Sequence, residues 1–353
     1  MGTLWYCLVA AMLAMYVLLD GFDLGAGLLH LGLARSDAER RTILATIGSV
    51  WDGNEVWLIA AGGTLYFAFP ALYASSFSGF YLPLMIVLWL LILRGIAIEF
   101  RGHVAGPVWG PLWDAAFSLS SGLLAIVFGA ALGNVVRGVP LDANGLFFEP
   151  LWTDFRLGPQ TGVLDWYTIL VGLAAYFALA QHGALWVALK TEGVIVRRAR
   201  RCASASWWAV VLLTALVTLV SFRVQPQIAA NFAAHPWGWI FPALAALGLA
   251  GVRIWFAAEP ANVAEKRAFL SSCAFLAGLL SSAAFGIYPL VLPSRTSAAY
   301  SLTIANTLAG AHGLKVGLAW WIFGMALVAA YSTFVYRQQA GKVKAANAHS
   351  AGP

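Results

Sequence analysis

Charge is what this 353-residue chain most lacks: Asp, Glu, Lys and Arg make up 10% of it, against 61% hydrophobic residues and a mean hydropathy of +0.79. A soluble domain carries about 25% charged residues, so that class is excluded. Its three cysteines, Cys7, Cys202 and Cys273, stand alone with no CxxC or CxxCH spacing. That excludes a disulfide framework and covalent haem attachment, and leaves them as small apolar packing residues. Alternation of apolar and polar residues over about ten positions is also missing, which excludes a membrane β-barrel. No positive residue precedes the first apolar run, and that run outlasts a signal-peptide core, so it is expected to remain as a span. Tyr6 stands where myristoylation would need Ser or Thr.

What is present is a series of charge-poor apolar runs, near residues 4–33, 47–69, 77–98, 114–136, 165–189, 205–222, 237–257, 268–290 and 313–336. Each is long enough for one bilayer crossing, which needs about 20 apolar residues. The expected fold is therefore an all-α integral membrane protein of nine transmembrane helices. Loop charge sets its orientation. With the N-terminus outside, inner segments hold sixteen basic residues, including Arg35, Arg40, Arg41, Lys190 and the Arg197–Arg201 cluster. Outer segments hold five: Arg137, Arg156, Arg223, Arg295 and Lys315. The C-terminus is then cytoplasmic, and the net charge of +6 is a topology signal that gives no reason to invoke nucleic acid. Residues 1–336 are expected to form a single transmembrane domain, with 337–353 as a flexible cytoplasmic tail. The most polar connection, Arg137 to Asp165, reads as an ordered outer loop. Trp5, Trp109, Trp113, Trp237 and Trp239 fall near span ends, where an indole suits the headgroup layer.

An ionisable side chain at the centre of a span costs roughly 2.5–3.5 kcal/mol on insertion scales, so each needs a partner, water or a task. The first span contains Asp20 and Asp23, which share one helix face with Gly27 and His30. The second opens with Asp52 and Glu55 one turn apart, the third ends with Arg94 and Glu99, and the fifth carries Gln181 and His182. At about 1.5 Å rise per residue, Arg94 and His182 lie roughly 25 Å into outside-to-inside spans, while Asp52 and Glu55 begin an inside-to-outside one. The expected arrangement is a hydrated polar cluster in the cytoplasmic half, with Arg94 neutralising an acid and neighbouring carboxyls passing protons inward. The alternative is that Arg94 pairs with an acid only to fix helix packing. His30, His182 and His312 could in principle ligate haem, but a histidine on a polar helix face is more often a hydrogen-bonding residue. No metal site is expected.

These stretches together resemble subunit II of cytochrome bd-type quinol oxidases, with features of the cyanide-insensitive branch at Gln181-His182-Gly183. The resemblance is carried by Asp20-Gly-Phe-Asp-Leu-Gly-Ala-Gly27, Trp51-Asp-Gly-Asn-Glu-Val-Trp-Leu58, Phe77-Ser-Gly-Phe-Tyr81, Arg94-Gly with Glu99-Phe-Arg101, Gly129 to Asn134, and Tyr288-Pro-Leu-Val-Leu-Pro-Ser294. It implies two four-helix bundles, about 1–137 and 160–290, plus a peripheral helix at about 313–336. It also implies a haem-bearing subunit I that carries two b haems and haem d, oxidises quinol and reduces dioxygen to water. The chain itself would hold no haem and no catalytic residue. It would support subunit I, contribute the acids matching Asp20, Asp23 and Asp52 to a proton route, and in some members hold a structural quinone. Glu55 stands where some relatives have Gln. Small single-span accessory subunits and membrane lipid complete the expected partners. A proton-coupled secondary transporter is the competing class; it is disfavoured because the acids of the first half have no matching set in the second.

Overall fold

The computed structural model describes residues 1–104, 106–158, 161–257 and 261–343. The chain runs through α1 (Gly2–Leu33), α2 (Asp37–Ala45), α3 (Trp51–Ala68), α4 (Pro70–Gly79), α5 (Tyr81–Phe100) and α6 (Trp109–Arg137). It continues through α7 (Trp166–Lys190), α8 (Gly193–Val224), α9 (Pro226–Ala234), α10 (Ile240–Ala257) and α11 (Ala261–Ile287). A short antiparallel hairpin follows, β1 (Leu290–Leu292) and β2 (Leu302–Thr303), then α12 (Ile304–Thr307) and α13 (Ala311–Gln338). The hairpin is an addition to the all-helical expectation. The helices run back and forth between two ends: a basic end, where α1, α5, α7 and α13 finish, and a loop end, where the hairpin and residues 138–165 lie.

Among the described residues, eight helices are long and apolar enough to cross a membrane. The expected second span corresponds to α3, which falls short on that measure because its first turns carry Asp52, Asn54 and Glu55 within 18 residues. Residues 344–353 of the expected tail lie outside the described residues. Val343 is in place, its amide donating to the Lys190 carbonyl, and the Lys190 ammonium donates to the carbonyl of Gln339. Trp5 is not an interfacial anchor: it is 1% exposed and packs edge-on against Phe67, 5.4 Å between ring centroids. Trp237 and Trp239 are well exposed at the loop end, where an indole belongs in the headgroup layer.

Small residues decide where the long helices meet, since lipid provides no hydrophobic drive between them and close van der Waals approach must do the work. At the α1–α7 crossing, Gly25 faces Gly183, and a Cβ on either would overlap the backbone of the other helix. At the α6–α7 crossing, Gly129 and Gly172 each sit against main-chain atoms of the opposite helix. The contact places the first span's acids beside α7 and leaves α1 wrapped by α3, α6 and α7, so it is the most enclosed helix of the first half. We expect Gly183→Leu to force α1 and α7 apart, at a cost of about 1–3 kcal/mol or more. A lowered melting temperature of the detergent-solubilised protein would register it, and an unaltered one would remove this crossing from the helix-packing scheme.

Candidate functional site

The site forms where α1, α3 and α5 converge. Asp20 and Arg94 are both fully buried, and the guanidinium embraces the carboxylate through two bonds, Nη1 to Oδ2 at 2.7 Å and Nη2 to Oδ1 at 2.6 Å. A bidentate fork of this kind is the strongest ion-pair geometry available to side chains and, in a low dielectric, the one that best offsets the loss of hydration. Glu55 approaches the same guanidinium from α3 at 3.6 Å and is partly exposed. Asp23, one turn beyond Asp20, turns to α3 instead, where Asn54 Nδ2 donates to its Oδ2 at 2.7 Å. Asp23 Oδ1 and Arg94 Nε are both buried and have no partner among the described residues. One cation therefore faces three carboxyl groups.

Two neutral residues that hydropathy could not single out complete this arrangement. Asn54 is held on its other side by Tyr336, whose hydroxyl donates to Asn54 Oδ1 at 2.8 Å. The last turns of α13 thus reach across to the first helix through a chain of two hydrogen bonds. Asp52, by contrast, is exposed at the start of α3, its Oδ1 accepting from the Gly53 amide. Glu99 is exposed and is not brought into the cluster with Arg94; its backbone carbonyl lies 2.9 Å from His103 Nδ1. His182 is buried nearby but apart, with Nδ1 2.7 Å from the Ser272 hydroxyl and Nε2 3.0 Å from the Leu18 carbonyl, and its ring stacks on Phe269.

A second polar group closes the basic end. Asp114, buried near the start of α6, accepts from Arg101 Nε at 2.5 Å and from Arg40 at 3.1 Å, and its Oδ1 lies 2.6 Å from His30 Nε2. Arg101 also binds Asp37, and through these contacts α1, α2, α5 and α6 are clamped together. The Arg101 guanidinium, bonded directly to it, holds the Asp37 carboxyl below the usual range; Arg198 does the same for Glu39. Sequence reasoning passes over Asp114 because it sits at the boundary of an apolar run, where an acid raises no alarm. His30 lies on the face shared with Asp20 and Asp23 but meets α6, so that face serves two separate clusters.

Haem ligation can be tested on these contacts. Both ring nitrogens of His182 are committed to protein groups, whereas His30 has only Nε2 held, by Asp114, and its buried Nδ1 has no partner among the described residues. Among the described residues no group of three or more His, Cys, Asp or Glu is placed to hold a metal ion.

At the loop end a third cluster organises residues 138–165. Arg137, buried, bonds Asn134 Oδ1 at 2.6 Å, the Glu149 carboxylate at 2.7 Å, the Gly162 carbonyl, and Asp165, which also caps α7. Glu149 takes a bond from Thr161, while its Oε2 has no partner among the described residues. Burial outweighs the attraction of Arg137, pushing the Glu149 carboxyl up to about 7 from an ordinary 4.5. A carboxyl raised in this way favours the folded loop fully below its ordinary value, and that contribution is lost as pH climbs through about 7. Arg137, Arg295 and Asp165 are the charged groups around it. Proteolysis of residues 140–158 should accordingly be slower at pH 5.5 than at pH 8, and Glu149→Gln should flatten that dependence. An unchanged pH profile in the Gln variant would assign the effect elsewhere.

Comparison with known proteins adds the following. Residues 1–339 match the family model described as cytochrome bd terminal oxidase subunit II. The chain is 32% identical to the cytochrome bd ubiquinol oxidase subunit 2 of Bacillus subtilis, over 89% of this chain and 88% of that one. It is 30% identical to a probable cytochrome oxidase subunit 2 of Haemophilus influenzae, covering 97% and 95%. It is 28% identical to the cytochrome bd-I ubiquinol oxidase subunit 2 of Escherichia coli K12, covering 96% and 94%. Its fold superposes on a chain of the bd oxidase from Geobacillus thermodenitrificans with a TM-score of 0.75 at 17% identity, covering 96% and 98% of the two chains.

Proposed function

The chain belongs to the cytochrome bd terminal oxidase subunit II family, and on that premise we propose that it is the haem-free subunit that carries protons from the cytoplasm toward the oxygen-reducing centre of a haem-bearing partner. It is a multi-pass membrane protein and a subunit of a bd-type quinol oxidase, an oxidoreductase complex. Family membership speaks against the transporter alternative. In this proposal the quinol chemistry and the two b haems and haem d belong to subunit I, and no step is assigned to haem in this chain.

The observation that carries the proposal is the imbalance of one buried guanidinium against three carboxyl groups. Asp20, bonded bidentately to Arg94, is the fixed counter-ion. Among the described residues Asp23 has one oxygen without a partner and a neutral donor on the other, so it is the group on which a proton can reside without stranding a charge in the membrane. Glu55, partly exposed and 3.6 Å from Arg94, links this interior to Asp52 at the basic end. Loading would run from Asp52 to Glu55 and on to Asp23, with water bridging the polar atoms that lack protein partners. Asn54 and Tyr336 hold Asp23 in place and act as positioning residues. Glu99 and His182 have no place in the route.

The positive-inside bias makes the basic end cytoplasmic. The proposal counts α3 as a ninth span, its polar first turns lying at the cytoplasmic interface and its exposed Val56, Ile59 and Tyr66 meeting lipid or the partner. Bundle one is then α1, α3, α5 and α6, bundle two α7, α8, α10 and α11, with α13 peripheral.

Replacing Asp52 by Asn keeps the shape and removes the titratable group. Oxygen-reduction turnover of the assembled complex should fall by about tenfold or more with its haem spectrum intact, and Asp23→Asn should behave alike. Unchanged turnover across pH would remove either acid from the route. Tyr336→Phe deletes one hydrogen bond of about 1 kcal/mol, so turnover should drop a few-fold and its pH profile should move while the haems remain. A Phe variant with native rate and pH profile would show Tyr336 to be a packing residue only.

A further inference from the structure

The run Arg197, Arg198, Arg200, Arg201 at the start of α8 divides by helix face. Arg198 donates to Glu39 and to the Leu33 carbonyl; Arg200 donates to the Phe256 carbonyl, lies over the Phe256 ring at 5.2 Å and faces Glu265 at 3.8 Å. Both are tied into the protein. Arg197 and Arg201 lie to one side of Arg200: they are exposed, one turn apart, and have no partner among the described residues. Like charges at that spacing repel, so the pair costs stability unless an anion joins it.

α10 supplies a third cation. It runs antiparallel to α8, with Trp207 Nε1 donating to the Leu249 carbonyl and Arg200 donating to that of Phe256. Arg253 lies on the same stripe as Leu249 and Phe256, four residues after one and three before the other, which sets it along the α8 side of α10 at the height of Arg201. It too is exposed and without a partner among the described residues. On α8, Trp208 stands two turns beyond Arg201 and is 65% exposed, and Leu212, Leu216 and Leu219 continue that exposed face toward the loop end. At 1.5 Å per residue the indole is roughly 10 Å deeper than Arg201, which is more than the headgroup layer of about 5–7 Å and sets it at the start of the acyl region.

We propose that the arginine-rich end of the α8–α10 groove is a binding site for an anionic phospholipid, whose phosphate is held by Arg197, Arg201 and Arg253 and whose acyl chains lie along Trp208, Leu212 and Leu219. A guanidinium fork matches phosphate oxygens in shape as well as charge, and basic pockets between spans on the cytoplasmic side select anionic headgroups. Continuity of a basic crown with an apolar face below it fits a lipid, which has both parts in one molecule. A soluble anion would use the arginines alone.

The test is native mass spectrometry of the assembled, delipidated oxidase with added cardiolipin, phosphatidylglycerol, phosphatidylcholine or inorganic phosphate. The native complex should retain cardiolipin or phosphatidylglycerol at least about tenfold more tightly than the choline lipid. Combined Arg197→Gln, Arg201→Gln and Arg253→Gln should abolish that preference with the haem spectrum unchanged, whereas Arg223→Gln at the far end of α8 should preserve it. Equal retention of anionic and choline lipids by the native complex would overturn the proposal. So would an undiminished anionic adduct in the triple variant, or binding of phosphate without lipid. If the triple variant does not assemble, Arg201→Gln alone, read against the native headgroup preference, decides the question.

Discussion

A guanidinium with no exposure to solvent, deep between three helices, is the constraint around which this protein is arranged. Arg94 could be inserted only if its charge was met at once by another, and Asp20 meets it through both oxygens. That pairing fixes the rotation of α1 against α5. The rotation in turn carries Asp23 to α3 and His30 to Asp114 on α6, so three interhelical polar contacts follow from the azimuth of one helix. Gly25 and Gly183 permit it, because a side chain at either would hold α7 away from the face opposite.

Much of this was legible in the sequence. Long charge-free runs announce helices in lipid, and acids interrupting them announce an interior face, since no carboxyl can be left against acyl chains. Asp20, Asp23 and Arg94 were found in that way, and the family likeness rested on the same stretches. Asn54 and Tyr336 were not, because a neutral amide and a phenol interrupt no hydropathy pattern and their meeting spans 282 positions of sequence. Glu99 looked equivalent to Arg94's other neighbours by spacing, yet it is exposed on its helix, a matter of angle that a run of letters does not fix. The second helix was legible as a span only by ignoring how much polarity its first turns carry; Asp52, Asn54 and Glu55 are what keep α3 below the level of the other eight. Trp5 departs from expectation for a related reason: nearness to a span end predicts an interfacial indole, but tertiary packing on Phe67 overrides it.

The two ends of the molecule solve the same problem differently. At the basic end, Asp114 gathers the Arg40 and Arg101 guanidiniums together with the His30 ring, and Arg101 is shared with Asp37. At the loop end, Arg137 is bonded directly to two acids and to the Gly138 and Gly162 carbonyls, with Arg295 near by and Glu149 raised toward neutrality. The Glu149 carboxyl makes the loop-end arrangement responsive to pH, on the side where the connecting loop is longest.

Tyr336 belongs to the last helix, and the amide it holds belongs to the third. During synthesis, α1, α3 and α5 enter the bilayer long before α13 exists, so the Arg94–Asp20 pair can close early while Asn54 still has an open carbonyl oxygen. The polar centre is sealed only when the final helix arrives and its trailing residues fasten to Lys190. The order of translation thereby becomes the order in which water is excluded, and the last exclusion happens beside the residue to which a mobile proton is assigned.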